Sequence, residues 1–397
     1  MDLMNKDLKK RAKVTAKKTT DSDKRDIFLS SPFIEDDDRK AVMDVLNTRF
    51  LSLGPKPPEF ERMFAEYIGT RYAVVLNSGT SALHLAVKAL GIGPGDEVIV
   101  TPYSFIASVN CLLYEGAKPV FADIDPVTFN MDPKKIEQKI TSKTKAIIPV
   151  DVFGRPSDKE AISRIAKKHN LKIIEDSAEA LGAEYKGKKV GTFGDCAVFA
   201  FYPNKQITTG EGGMLVTDSK EIYDLCLSYR NQGRTINSKW LDHERIGYNY
   251  RLSDINCALG ISQLKKIDII LKKREQVAAE YTKRLSKIDG IKVPLGSDAE
   301  IKVSWFVYVI QVEQREKFMK ELIKRGVQCS SYFPSIHLMS FYRKSYGFKE
   351  GDFPICERIS KTTMALPFHT AMSEEDIVYV CDKVAEVQAS LSGKKKR

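Results

Sequence analysis

Three short segments of the chain combine side chains whose types and spacing could do chemistry. The segment NSGTS (77–81) follows an apolar stretch and opens a helical pattern. N–H groups at a helix start, with hydroxyls beside them, bind phosphate. The segment EDSAE (175–179) ends another apolar stretch, where open α/β sheets bind their ligands. Lys205 stands between an apolar stretch and a Gly-rich turn. Apolar surroundings can lower the pKa of a lysine amine, as Schiff-base chemistry requires.

Each segment also has an ordinary structural interpretation. The NSGTS segment could be a strand–helix turn with a hydroxyl cap. Asp176 could be a capping or salt-bridging carboxylate, and Lys205 could be one surface charge among many. Together, however, the segments supply a phosphate-binding site, a carboxylate that can pair with a ring nitrogen and an amine that can react with an aldehyde. Pyridoxal phosphate needs these three parts, so their order along one chain predicts a site for it.

The elements that must position these segments alternate between short strands and helices. Strand patterns are rich in Val, Ile and Phe, and they alternate with helical patterns that place apolar residues three or four apart. The predicted strands are 73–76, 97–100, 119–124, 146–150, 172–176, 196–201 and 213–218. Predicted helices are 35–47, 57–69, 80–90, 104–114 and 158–169. This alternation predicts a largely parallel sheet with helices on both faces.

The pattern changes after about residue 253. A long helical stretch is followed by a strand, a helix, a loop-rich segment and a final helix: 253–285, 303–312, 315–325, 329–356 and 373–390. We therefore expect a large α/β domain and a smaller C-terminal α+β domain between two basic tails. The expected bounds are 1–25 for the first tail, 26–265 and 266–391 for the domains, and 392–397 for the last tail.

Composition narrows the class of protein. Of the net charge of +11, much lies in the two tails, which we interpret as solvated ends. No nucleic-acid partner is expected, although the charge suits an anionic small substrate. The seven cysteines form no CxxC pair, which predicts free thiols in a reducing compartment and no metal site. Without a secretory signal or an apolar run of about 18–20 residues, we expect a cytoplasmic protein that does not span a membrane.

Seven motifs together resemble one family. They are FLSLGP (50–55), SGTSALHLA (78–86), GDEVIVTPYSFIAS (95–108), EDSAEALGA (175–183), NKQITTGEGG (204–213), GYNYRLSD (247–254) and LPFH (366–369). From about residue 28 to 390 the chain resembles the DegT/DnrJ/EryC1/StrS family of nucleotide-sugar aminotransferases. The resemblance implies a fold-type I aminotransferase architecture, with pyridoxal 5′-phosphate as cofactor and its pyridoxamine form as the intermediate carrier.

The resemblance also assigns roles to the cofactor's phosphate contacts. Gly79, Thr80 and Ser81 match the positions that hold this phosphate. Asn249, in GYNYR, matches a residue that reaches the neighbouring subunit's cofactor phosphate. On that reading a monomer cannot complete the site, so the resemblance implies a homodimer with shared active sites.

Four further positions match residues around the cofactor ring. Lys205 matches the lysine that links covalently to the cofactor, and Asp176 matches the partner of the ring nitrogen. Phe105 matches the aromatic residue stacked on the ring, and Ala178 the small residue on its opposite face.

Three positions depart from the common family pattern. Glu179 replaces the usual Gln beside the ring hydroxyl, although Glu occurs in some members, including perosamine-synthase-like ones. A carboxylate beside a phenolate is repelled unless one of them is protonated. Ala200 stands where a Ser commonly touches phosphate. Asp151, in PVDVFG, replaces a His near the sugar end of the site.

By this resemblance, the expected reaction moves an amino group from L-glutamate to C4 of a nucleotide-linked 4-keto-6-deoxy sugar, in surface polysaccharide or glycan synthesis. Candidate substrate residues are Asp151, Arg230, Arg234, Arg251, Tyr332, His337 and Tyr342. Alternatives are amination at C3, a sugar dehydratase or a non-enzymatic nucleotide-sugar binder. The dehydratase relatives have His in place of the lysine, so Lys205 argues against that reading.

Overall fold

The computed structural model describes residues 25–234 and 242–392 of the chain. The predicted basic tails, 1–25 and 392–397, lie outside the described residues except for Arg25 and Ser392. Within the described ranges, every helix is too short or too polar to span a bilayer.

The helices are numbered in chain order. They are α1 (Asp36–Leu46), α2 (Lys56–Ile68), α3 (Gly79–Ala89), α4 (Ala107–Tyr114), α5 (Pro133–Ile136), α6 (Lys159–His169), α7 (Lys220–Arg230), α8 (Asp254–Lys265), α9 (Ile267–Leu285), α10 (Arg315–Lys324), α11 (Ser340–Tyr346), α12 (Pro354–Thr362) and α13 (Glu374–Leu391).

The strands are numbered likewise. They are β1 (Tyr72–Leu76), β2 (Glu97–Val100), β3 (Lys118–Phe121), β4 (Thr144–Ile148), β5 (Lys172–Asp176), β6 (Glu184–Tyr185), β7 (Lys188–Lys189), β8 (Cys196–Ala200), β9 (Gly213–Thr217), β10 (Ile301–Lys302), β11 (Tyr308–Gln311), β12 (Ser330–Ser331) and β13 (Thr363–Leu366).

A seven-stranded sheet forms the centre of the molecule, with the strand order β1-β9-β8-β5-β4-β2-β3. The pairs from β8 to β3 are parallel, and β9 runs antiparallel to both of its neighbours. Both faces are buried: on β8, Val198 packs into one hydrophobic cluster and Phe199 into another. The prediction of a mostly parallel sheet covered on both faces is confirmed, because strands buried on both sides are apolar at every position.

The C-terminal part packs around a second, antiparallel sheet of order β11-β13-β12. Its core includes Tyr281 of α9, Phe318 of α10 and Val384 of α13. The predicted strand 303–312 is shorter, since β11 begins at Tyr308, after Trp305 with φ of +51°. That left-handed backbone cannot continue a strand.

The long helical stretch predicted at 253–285 is two helices, α8 and α9, that meet at Lys266. Helix α9 joins the two parts of the molecule: Ile270 belongs to a cluster under the large sheet, and Tyr281 to the C-terminal core. The domain boundary at 265/266 stays a prediction.

Candidate active site

The three segments that carry the candidate catalytic and cofactor-binding side chains meet at one edge of the large sheet. Strands β5 and β8 run parallel, with Asp176 opposite Val198, so both end at the same edge. Gly79, the first residue of α3, lies against Ala200: a Cβ built on Gly79 would come 2.8 Å from the Ala200 Cβ. The chain leaves β8 at Ala200 and reaches Lys205 five residues later. The sheet topology therefore brings Gly79, Asp176 and Lys205 together.

Lys205 carries a buried amine. Its side chain is 13% exposed, and Nζ lies 3.9 Å from the centre of the Phe306 ring and 3.6 Å from Glu179 Oε1. Burial lowers the pKa of the Lys205 amine, and the negative charges of Glu179 and Asp176 oppose that change. A lowered pKa makes more of the amine neutral at a given pH, which is the nucleophilic form.

Asp176 is a buried carboxylate with two donors of its own chain. The Ser108 hydroxyl donates to Oδ2 at 2.6 Å, and the Ala178 N–H donates to Oδ1 at 3.2 Å. Burial raises the pKa of Asp176, while both hydrogen bonds lower it because they favour the charged form. A carboxylate held in this way can keep a neighbouring ring nitrogen protonated.

Glu179, the departure noted in the sequence, lies on the same side of the site. Its Oε2 accepts a hydrogen bond of 2.9 Å from the Phe153 N–H. Burial raises the pKa of Glu179, and the nearby Lys205 amine opposes that change. Burial therefore favours the neutral form of the Glu179 carboxyl. A neutral carboxyl beside a phenolate avoids the repulsion between two negative charges.

The start of α3 forms an anion-binding cradle. Ser78 caps the helix, since its Oγ accepts from the Ser81 N–H at 3.0 Å, and the Ser81 hydroxyl donates to Asn77 Oδ1 at 2.7 Å. Gly79 and Thr80 occupy the first helical turn, where N–H groups have no acceptor inside the helix. These free donors and the positive end of the helix dipole suit a phosphate.

Phe105, Ala178 and Asn249 differ in exposure. The Phe105 ring is 62% exposed, Ala178 is half-buried and Asn249 is exposed. The segment that holds Asn249 lies beside α3, because the Tyr250 carbonyl accepts from the Asn77 N–H at 2.9 Å. An exposed aromatic ring at the edge of the site offers a flat apolar surface for a ring to stack on.

Three predicted substrate residues, Asp151, His337 and Tyr342, lie in the protein interior. Asp151 is fully buried, and its carboxylate accepts hydrogen bonds from Lys159, Ser157 and Ser177. His337 is also fully buried, with Nε2 3.0 Å from Glu357 Oε1. The Asp151 carboxylate and His337 Nε2 therefore have protein partners, and the substrate contacts of both residues stay predictions.

The arginine candidates line a separate surface cavity of about 430 Å³. Arg230 pairs with Glu61 and donates to the Val75 carbonyl at 2.7 Å. Arg251 donates to Asn231 Oδ1 at 2.9 Å and to Gln232 Oε1 at 3.0 Å. Among the described residues that line this cavity, none belongs to the cluster around Lys205.

The structure adds site residues that sequence reasoning did not select. Ser108 holds Asp176, and its only sequence signal is its place in TPYSFIAS, three residues after Phe105. Phe306 supplies the ring beneath the Lys205 amine, and it comes from a distant segment without any recognisable motif.

A buried amine, a buried carboxylate and a helix start at one sheet edge define a pyridoxal-phosphate enzyme, and the residues present fit that cofactor. Residues 32–385 match the DegT/DnrJ/EryC1/StrS aminotransferase family, and the chain belongs to this family of pyridoxal-phosphate-dependent enzymes. The resemblance drawn from the sequence is therefore confirmed, as are the aminotransferase activity and the cofactor.

Relatives span almost the whole chain. GDP-perosamine synthase of Escherichia coli O157:H7 is 39% identical over 363 residues, covering 91% of this chain and 98% of that protein. The spore coat polysaccharide biosynthesis protein SpsC of Bacillus subtilis is 38% identical over 382 residues, covering 92% and 98%. The PMP-form of Spr1654 from Streptococcus pneumoniae matches with a TM-score of 0.88 and 30% identity, covering 92% and 100%. These matches confirm the fold-type I architecture.

The 2.6 Å bond from Ser108 to Asp176 leads to a test. Ser108→Ala removes a donor that lowers the pKa of Asp176, so that pKa rises further above its ordinary value. Because Asp176 must be ionised to hold the ring proton, the acid limb of the pH–rate profile should move to higher pH. We expect turnover at pH 7 to fall about 10- to 100-fold. This factor corresponds to the loss of one hydrogen bond to a charged group, which contributes roughly 1.5–3 kcal/mol.

Steady-state rates between pH 5 and 9 measure this effect. Ser335→Ala is the matched control, because Ser335 is a buried serine whose hydroxyl bonds Ser360 in the C-terminal part. An acid limb that stays in place in Ser108→Ala would show that Ser108 does not control the charge of Asp176.

Proposed function

We propose that this aminotransferase moves an amino group from L-glutamate to the C4 keto group of a nucleotide-linked 4-keto-6-deoxy sugar. The observation that carries the chemistry is the buried Lys205 amine, which packs on Phe306 within reach of Glu179. The acceptor is inferred from relatives, since GDP-perosamine synthase and a spore coat polysaccharide biosynthesis protein are similar over nearly the full length. The proposed setting is polysaccharide or glycan synthesis.

Each site residue has a defined task in this proposal. Bound pyridoxal phosphate supplies an aldehyde that accepts the amino group and a ring that takes up electron density. The neutral Lys205 amine would hold the cofactor through its aldehyde, and the same amine, when free, would move a proton at the α-carbon of the amino donor. Asp176 holds a proton at the ring nitrogen, and the start of α3 binds the phosphate. Phe306 packs against the Lys205 amine.

The proposed location is the cytoplasm. All seven cysteines are free thiols, and six of them are buried. Unpaired cysteines are typical of proteins in a reducing compartment.

Lys205→Ala tests the covalent role directly. We expect borohydride treatment of the wild-type holoenzyme to add the cofactor's mass to the peptide that contains Lys205, as read by mass spectrometry. The variant should show no such adduct and should lose at least 10³-fold in turnover, because it has neither the nucleophile nor the proton carrier. Lys118→Ala is the control, because the Lys118 side chain is 61% exposed. Lys159 is unsuitable as a control, because it pairs with buried carboxylates. A reducible adduct in Lys205→Ala would overturn the assignment.

The acceptor is tested by single-turnover reactions. The pyridoxamine form is mixed with a panel of UDP-, GDP- and dTDP-linked sugars that carry a keto group at C4 or at C3. We expect amination of 4-keto-6-deoxy sugars at least 100-fold faster than of 3-keto sugars, with product NMR giving the position of the new amine. Faster reaction of a 3-keto sugar would favour the C3 alternative, and inertness toward the whole panel would reject a nucleotide-sugar acceptor.

We also propose that the active protein is a homodimer with shared sites. Large apolar side chains are exposed on the short run of Phe50, Leu51 and Leu53, and at Phe105 and Tyr202, each at least 46%. Exposed apolar groups in one region mark interaction surfaces. Asn249 is exposed beside α3, where a second subunit could receive it.

Complementation between two inactive variants tests the shared site. Lys205→Ala and Asn249→Ala should each have little activity alone. Refolded together, they should form heterodimers in which one site has both a native Lys205 and a native Asn249. Random assortment then restores about a quarter of the wild-type activity. Sedimentation velocity gives the oligomeric state, and lack of recovery in a confirmed mixed dimer would place Asn249 in its own subunit's site.

A further inference from the structure

Beneath Lys205 lies a buried cation to which the sequence assigns no role. Arg274, on α9, is only 4% exposed. In residues 25–234 and 242–392, no carboxylate lies within ion-pair distance of its guanidinium. A buried charge without a counter-ion is costly, and such a charge in a fold calls for a specific explanation.

The guanidinium bonds instead to three backbone carbonyls. Nη2 donates to the Lys205 carbonyl at 3.1 Å, and Nη1 donates to the Trp305 and Phe306 carbonyls, each at 3.1 Å. One rigid, planar group therefore holds both the backbone of Lys205 and the backbone of the residue whose ring lies under the Lys205 amine. The planar fork of arginine suits such multiple acceptors, whereas a lysine ammonium at this position could not span them.

We propose that Arg274 is a positioning residue for Lys205: its guanidinium fixes the Lys205 backbone and the Phe306 backbone relative to each other. This inference rests on the proposed role of Lys205 as the residue that captures the cofactor. It adds a residue from the C-terminal side of the predicted domain boundary to a site built on the large sheet.

The charge of Arg274 also acts on the Lys205 amine, and it acts in a known direction. The Lys205 amine faces three charged groups from two segments: Asp176 and Glu179, at and just after the end of β5, raise its pKa, and Arg274, on α9, lowers it. Burial lowers it most, and Arg274 acts in the same direction as burial. Burial also lowers the pKa of Arg274 to about 10, so the guanidinium remains charged at pH 7. His369 lies near Arg274 as well, and both burial and Arg274 lower its pKa, which keeps it neutral.

Arg274→Met tests the proposal, since it keeps the apolar stem and removes the charge and the donors. In this variant the pKa of Lys205 should rise, so less of the amine is neutral at pH 7. The measurement is acetylation of Lys205 in cofactor-free protein between pH 6 and 10, quantified by peptide mass spectrometry. We expect labelling at pH 7 to be about three- to tenfold slower, with the midpoint of the pH profile moved to higher pH.

Matched controls separate this effect from a loss of packing. Arg315→Met also removes a mostly buried arginine that donates to backbone carbonyls, those of Ser360 and Thr363, but its site lies away from Lys205. Its labelling midpoint should equal that of the wild type. An equal midpoint in Arg274→Met, in protein with wild-type circular dichroism, would overturn the proposal.

Arg274→Lys makes the test independent of the folding of the Met variant. Its ammonium keeps the charge but cannot hold three carbonyls, so the midpoint should stay near wild type while capture of pyridoxal phosphate slows about threefold or more. Unchanged capture in this variant would reject the positioning role. The acetylation assay does not need cofactor, so it tests the effect of Arg274 on Lys205 separately from the proposed function. If the wild-type protein formed no borohydride adduct, the function proposed for Lys205 would be rejected, and the acetylation midpoints would still decide the role of Arg274.

Discussion

The site depends on holding one lysine amine out of water. A lysine in water is almost fully charged at neutral pH and attacks aldehydes poorly. Here the Lys205 amine is buried against the Phe306 ring, and burial outweighs the two carboxylates that would restore its charge. The sheet makes this possible, because β5 and β8 end at the same edge and the turn after β8 directs Lys205 back over that edge.

The same burial acts on the two carboxylates in the opposite direction, and their hydrogen bonds then distinguish them. Asp176 receives the Ser108 hydroxyl and the Ala178 N–H, whereas Glu179 receives the Phe153 N–H. Donors favour the charged form, so Asp176 is better suited to stay ionised and Glu179 to become neutral. Two neighbouring carboxyl groups with different surroundings can thus serve different purposes, one at the ring nitrogen and one near the ring hydroxyl.

A second cluster of buried charged side chains lies next to the end of β5. The Lys159 ammonium is 2.7 Å from Asp151 Oδ1 and 2.8 Å from Glu175 Oε2, and all three side chains are buried. Ser177 also donates to Asp151, so the residues on both sides of Asp176 are held by this group. The pair explains the departure in PVDVFG: a buried aspartate needs a cation, and Lys159 supplies it eight residues further along the chain. Asp151 therefore belongs to the support of the strand end.

By itself the sequence determined the elements and the class of chemistry. The apolar stretches follow from burial of the strands on both faces, and the motif order from NSGTS through Asp176 to Lys205 follows from the parts that the cofactor needs. Only the tertiary structure decided which side chains surround those parts. Ser108, Phe306 and Arg274 reach the site from segments about 70 to 100 residues away from the groups they contact. Local periodicity carries no information about such contacts, because they depend on where the folded chain returns. For the same reason, only the packed interior shows that Asp151 and His337 are buried, with protein partners at the Asp151 carboxylate and at His337 Nε2.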